Sequence, residues 1–218
     1  MKRVYILVEG QTEESFINEA IVPLYAAENI FIQPIIVSTS RGHKGGVVSY
    51  AKIKPQIEKL CRQDRNAWVT TFFDLYALPN DFPKKSNSEY AVLNNCQDKV
   101  NFLETALQQD IIEQNFFPYI MLHEFEALLF VDPDQFAGWV DDSDIVQKLH
   151  QIKSHYNSPE EINDSPHTAP SKRILGLIPD YDKVVQGTII ATDIGLNEMR
   201  RQCSHFNSWL VRLEGLGA

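Results

Sequence analysis

No stretch of this sequence approaches the roughly 20 consecutive apolar residues that a membrane-spanning helix needs, so a helical membrane protein is not expected. Cysteine is scarce: Cys61, Cys96 and Cys203 are odd in number and far apart. That pattern suggests neither a disulfide framework nor a zinc knuckle, and it fits a reducing cytoplasm. Positive charge is in deficit, with 20 Lys and Arg against 29 Asp and Glu, a net charge of −9. This argues against nucleic-acid binding through bulk electrostatics alone. It leaves room for a nuclease, because carboxylates gathered around metal ions add to the negative total and a bound cation reverses the local field. Internal repeats and low-complexity tracts are missing. Met1-Lys2-Arg3 has a basic flavour, but a strand and Glu9 follow at once, so no signal peptide is expected.

What is present is a core-forming chain. In 218 residues, 44% are hydrophobic and 11% aromatic, enough for one large domain and against disorder. Arg3 to Val8 (RVYILV) is a continuous apolar run with β-branched members, as in a strand buried on both faces of a sheet. Glu9-Gly10-Gln11-Thr12 interrupts it. Thr12 is read as the N-cap of a helix with Glu13 and Glu14 in its first turn, where the dipole favours negative charge. Ile30 to Val37 reads as a second strand and Val47 to Cys61 as a helix. Trp68 to Phe73 (WVTTFF) is a third strand ending in Asp74, followed by a loop marked by Pro79 and Pro83. Gln97 to Ile112 has helical period, and Phe117 to Leu122 (FPYIML) is a fourth strand running into His123-Glu124-Phe125-Glu126. Strands alternating with helices predict an α/β fold with a mostly parallel central sheet flanked by helices. From Asp132 on, helical patterns dominate: Ile145 to Tyr156, Ile174 to Leu177 and Met199 to Leu213, with a proline-bearing loop from Ser158 to Ser171. The expected organisation is an α/β core over 1–131 and a helical extension over 132–218 packed on it as one structural unit.

In open α/β sheets, ligands bind beyond the carboxyl ends of the strands. Three strands end in acids there: Glu9, Asp74 and Glu124. Glu13 lies one helical turn past Glu9, and Glu126 two residues past Glu124. In an extended segment Glu124 and Glu126 share a side; in a helix they diverge. Crowded carboxylates repel, and burial raises that cost unless a cation offsets it. Oxygen-only ligands point to Mg²⁺ or Mn²⁺ rather than zinc, and such ions polarise phosphates and activate water. Taken singly, each acid has a plainer explanation: Asp74 as an N-cap, Glu13 as a dipole partner. Recurrence at several strand ends favours a site.

Val8-Glu9-Gly10-Gln11-Thr12-Glu13 resembles the VEGxTE signature that opens the TOPRIM domains of the overcoming-lysogenization-defect nucleases. Three later stretches, HEFEALLF (His123 to Phe130), PSKRI (Pro170 to Ile174) and CSHFNSWL (Cys203 to Leu210), resemble the TOPRIM-like bacterial family called domain of unknown function 4276. The resemblance spans nearly the whole chain. It implies a TOPRIM-like fold and Mg²⁺-dependent phosphodiester chemistry. Glu9 then matches the acid of the first motif, as metal ligand or general base; Glu13 matches its second acid, and Asp74 the first acid of a paired-aspartate motif. Tyr76 stands where the second aspartate belongs, and Glu124 and Glu126 are the acids able to supply the missing oxygens. The nuclease relatives use a lysine near the scissile phosphate, for which Lys172 and Lys183 are both candidates. Such relatives work beside an ATPase in defence against phage. This chain lacks the P-loop pattern GxxxxGK[ST], so an ATPase partner would be a second protein.

Other motifs carry less. Arg41 to Gly46 is a Gly-rich basic loop that could cradle a phosphate through Lys44 and its N–H groups, or be a surface turn with His43 solvated. HEFEA is not HExxH, because residue 127 is alanine, so a zinc protease is excluded. His123 is either a core histidine at a strand end or catalytic. Lys172-Arg173 is either a phosphate-backbone contact or a solvated helix start. Phe206, Trp209 and Leu210 have core spacing. Cys203 and His205, two apart on a helix, do not face each other. The expected function is a cytoplasmic nuclease acting on DNA or RNA with Mg²⁺ or Mn²⁺. The alternative is a catalytically degenerate TOPRIM-like module that binds a partner or nucleic acid.

Overall fold

The computed structural model describes residues 1–40, 43–44, 49–163 and 167–216. Most of the Arg41 to Gly46 loop, and Val47, lie outside the described residues. The first strand, β1, spans Lys2–Val8. A helical segment follows: α1 (Gln11–Phe16), a π-turn (Ile17–Ile21) and α2 (Val22–Ala26). Pro23, in the first turn of α2, supplies no N–H to the preceding ladder, which fits the change of winding there. Next come β2 (Ile30–Ile36), the short antiparallel pair β3 (Ser38–Ser40) and β4 (His43–Lys44), α3 (Tyr50–Gln63) and β5 (Ala67–Asp74). A 3₁₀ turn (Leu75–Ala77) and α4 (Ser88–Ala91) lead to α5 (Cys96–Asp110).

The central sheet has the order β2-β1-β5-β6, and every pairing in it is parallel. The expected fourth strand is divided into β6 (Phe116–Phe117) and β7 (Ile120–Met121), both paired with β5. Pro118 between them has no N–H for a ladder bond. The Thr71 hydroxyl bridges the gap: it donates to the Tyr119 carbonyl (2.8 Å) and accepts from the Tyr119 N–H (3.0 Å).

Alternation along the strands sends side chains to both faces, which is why β1 reads as unbroken apolar sequence. Val4, Ile6, Val8 and Phe72 point to one face; Leu7, Val69 and Phe73 point to the other. The second face is covered by α3 (Ile53, Ile57, Cys61) and α5 (Val100, Leu103, Leu107). The first is covered by Phe16 and Ile17 and by much of the C-terminal half. That half comprises 3₁₀ turns at Phe125–Val131, Pro133–Trp139 and Pro159–Glu161, and helices α6 (Ser143–Ser154), α7 (Pro170–Leu177), α8 (Gln186–Ile194), α9 (Leu196–Gln202) and α10 (Ser204–Gly215). Phe206, Trp209 and Leu210 are buried in this core, as their spacing predicts. Trp209 stacks on Tyr119 with ring centroids 4.7 Å apart, and its indole N–H donates to the Thr70 hydroxyl (3.2 Å).

Met199 to Leu213, expected as one helix, breaks at Cys203, whose backbone is non-helical. The Glu160 carboxylate supplies the new cap, accepting from the N–H groups of His205 (3.1 Å) and Phe206 (2.9 Å). Among the described residues, no helix is long and apolar enough to cross a membrane.

Candidate metal centre

Glu9 follows directly on β1, and Asp74 is the last residue of the neighbouring β5. The two ends are tied: the Asp74 N–H donates to Glu9 Oε1 at 2.7 Å. The N-cap of α1 is Gly10, not Thr12, which lies inside the helix. Glu13 is therefore the third residue of the first turn, and its carboxylate returns over Gly10, as in a capping box. A Cβ at position 10 would lie 3.3 Å from Glu13 Oε2, so glycine leaves room for that return. On the other side of β5, Asp74 is paired in register with Met121. The chain then enters the 3₁₀ turn that buries Glu126.

These acids act on one another. Burial, opposed by the Asp74 N–H and reinforced by Glu13, pushes the Glu9 carboxyl up to about 8. Burial raises Glu13 as well, against the pull of its own and the Gly10 N–H groups and of Lys183. Asp74 is held well above the ordinary range, first by burial and then by the negative charges of Glu9, Glu13, Glu126 and Glu124. Burial and Glu124 push Glu126 up to about 7. Asp74 Oδ1 and Glu126 Oε1 are buried without a hydrogen-bond partner among the described residues. A buried polar atom in that state costs free energy, and a bound ligand would relieve it.

The remaining expected residues divide. Glu124 is half-buried, and its Oε2 accepts from the Ser171 N–H at 3.0 Å, so it caps α7. Its charge still reaches Asp74 and Glu126. Lys183 is exposed, and its charge favours the ionised forms of Glu9, Glu13 and Glu126. Lys172 is exposed on α7 and does not figure among the main charges acting on these acids. Arg173 is turned onto its own surroundings, donating to the Thr168 carbonyl (2.6 Å) and the Tyr156 hydroxyl (2.8 Å). His123 is buried, with Nδ1 3.2 Å from the Asn163 amide. Tyr76 is 49% exposed on the 3₁₀ turn directly after Asp74.

Two residues at the site escape sequence reasoning. Lys85 is half-buried, its Nζ donating to the Leu78 carbonyl; burial lowers its pKa and Glu9 raises it. The signal for it is the Lys84-Lys85 pair in the proline-marked loop just downstream of Asp74. Tyr181, whose buried hydroxyl has no hydrogen-bond partner among the described residues, feels Glu126. Nothing in its sequence surroundings marks it.

The donor set suits a hard cation, since it consists of carboxylate oxygens, two of them buried and unpartnered. It is not drawn together as a finished coordination shell: among the described residues no three His, Cys, Asp or Glu side chains stand in a metal-holding arrangement.

Residues 8–214 match the family model described as Domain of unknown function (DUF4276). The chain belongs to this family. Its fold is similar to solved structures of the C-terminal region of the Xanthomonas campestris pv. campestris OLD protein. One, phased with platinum, has 14% identity, covering 96% of this chain and 94% of that one with a TM-score of 0.38. Another, phased with iodine, has 16% identity, covering 95% of each chain with a TM-score of 0.36. No curated protein matches the chain.

Proposed function

We propose that this member of the DUF4276 family is a TOPRIM-type nuclease that hydrolyses phosphodiester bonds in DNA or RNA with Mg²⁺ or Mn²⁺. The observation that carries the proposal is the Asp74 carboxyl: buried at a strand end, one oxygen unpartnered, and raised by the charges of Glu9, Glu13, Glu126 and Glu124. A fold does not keep such a group without a cost, and a cation offsets that cost. Glu9, Glu13, Asp74 and Glu126 would hold the metal, which supplies a Lewis acid for the phosphate. Glu9, at the end of β1 and joined to the end of β5 through the Asp74 N–H, would serve either as a metal ligand or as the general base that takes a proton from the attacking water. Lys183 supplies positive charge at the acids for the phosphate; Lys172, on α7, would meet the strand further out. In this reading the chain works in a bacterial cytoplasm, in phage defence, beside a separate ATPase.

The test is a cleavage assay on single- and double-stranded DNA and RNA with Mg²⁺ or Mn²⁺. Cleavage that drops about 10²-fold or more in Glu9→Gln supports the proposal. No cleavage of any substrate, with and without a candidate ATPase, removes it.

A second reading is favoured by Tyr76, which stands exposed where an acid would complete the paired motif. In it the chain binds a partner or nucleic acid without catalysis. Calorimetry separates the two: Mn²⁺ binding lost in Glu9→Ala and Asp74→Ala supports the enzyme. Partner binding untouched by those changes, with no metal uptake, supports the module.

A further inference from the structure

Tyr181 carries a buried hydroxyl that the proposed chemistry does not use. The residue is 8% exposed, and its O–H has no hydrogen-bond partner among the described residues. The chain fixes it from both sides. The Tyr181 N–H donates to the Ile178 carbonyl just past α7 (3.1 Å). Asp182, the next residue, accepts through Oδ1 from the N–H groups of Val184 (2.9 Å) and Val185 (3.1 Å). Its carbonyl accepts from the N–H groups of Gln186 (2.8 Å) and Gly187 (3.3 Å) at the start of α8. A tight turn anchored to both helices thus carries the ring, which is the support a precisely placed group needs.

The hydroxyl lies against Gly187. A Cβ there would meet the hydroxyl oxygen at 2.5 Å and the Phe125 ring at 3.4 Å. Packing alone does not explain this arrangement. Glycine is a poor helix former, and a phenyl ring at position 181 would fill the same space without burying an unpaired O–H. The sequence keeps the oxygen and gives up a side chain on α8 to house it.

The neighbours of the hydroxyl indicate its counterpart. Phe125 is followed by Glu126, whose Oε1 is also buried and unpartnered among the described residues, and whose charge acts on Tyr181. A donor and an acceptor, each without a partner, stand close enough to interact and do not bond each other. Burial and the Glu126 charge raise the Tyr181 hydroxyl well above its ordinary range, so it remains a donor. A ligand that satisfies both groups brings positive charge to Glu126 and an acceptor oxygen to Tyr181. A phosphate group carried on a divalent cation brings both.

We infer that the Tyr181 hydroxyl donates to a non-bridging oxygen of the phosphate group received at the carboxylates. The inference rests on the nuclease reading and adds to it a neutral phosphate contact from the turn between α7 and α8.

Calorimetry tests it on the full chain and on Tyr181→Phe, in millimolar Mn²⁺, with inorganic phosphate, thymidine 5′-monophosphate and thymidine as probes; thermal melts accompany it. Tyr181→Phe should melt at or above the temperature of the unaltered chain, because no bond within the fold is lost. It should bind phosphate and the monophosphate about tenfold or more weakly, the loss of one hydrogen bond to a charged group. A variant that melts lower or does not fold shows that the hydroxyl has a partner inside the protein, and overturns the inference. So do equal phosphate affinities in the two chains, no phosphate binding by the unaltered chain, or thymidine binding as tightly as its monophosphate. The two readings fail separately. Cleavage of nucleic acid with kcat and KM unchanged in Tyr181→Phe removes this contact and leaves the nuclease standing. Phosphate binding that depends on Tyr181, in a chain that cleaves nothing, keeps the contact and removes the nuclease.

Discussion

At the scale of single residues, the account turns on carboxyls whose proton affinity the fold has raised. Glu9 and Glu126 move from 4.5 to about 8 and about 7. A group whose folded pKa exceeds its unfolded value stabilises the fold fully below the unfolded value and loses that contribution as pH rises through the folded one. The metal-free protein should therefore melt at progressively lower temperature from about pH 5 to about pH 8. Millimolar Mg²⁺ should restore the loss at the alkaline end and do little at the acid end. A melting temperature flat across that range contradicts the burial of these charges. Asp74→Asn removes a repelled charge, so it should raise the metal-free melting temperature at pH 8 while abolishing Mn²⁺ binding; thermal melts and calorimetry on one preparation check both. That Glu9, Glu13 and Asp74 lie close enough to act on one another was legible from sequence because strand ends and the first turn of a helix fix where an acid goes; the burial of Glu126 was left open between an extended and a helical path. The capping role of Glu124 was not, since its partner Ser171 is 47 residues away. Lys85 was hidden in a loop whose path no periodicity describes.

At the scale of elements, periodicity located β1, β2, β5, α3 and α5 to within a few residues, because each meets the core along one regular face or along two. It failed where a distant group decides the outcome. The break between α9 and α10 depends on Glu160, and the division of β6 from β7 on Pro118 with Thr71 beside it. α8 was missed because Gly187, Thr188, Ile189 and Ile190 have poor helix propensity. Gly187 is nonetheless required: a Cβ there would come within 2.5 Å of the Tyr181 hydroxyl and 3.4 Å of Phe125. Gly187→Ala should destabilise the fold by about 1–3 kcal/mol through overpacking, against the usual gain of placing alanine in a helix. Denaturant unfolding measures the difference, and a more stable variant contradicts the packing of Tyr181 on α8.

At the scale of the whole molecule, the helical C-terminal half covers the sheet face formed by Val4, Ile6, Val8 and Phe72. It also brings Lys183 toward Glu9 and Glu13, which come from the other half. Trp209→Ala should cost about 3–5 kcal/mol, as for other buried tryptophans, and the chain should still unfold in one transition. Two separate transitions would show that the halves fold independently. The central claim is that distant carboxylates share one cation, and anomalous scattering from a Mn²⁺-soaked crystal tests it most directly. The account predicts a peak bounded by Glu9, Glu13, Asp74 and Glu126 that vanishes in Asp74→Asn. A well-soaked crystal with no peak there, or with peaks only at other surface acids, contradicts it.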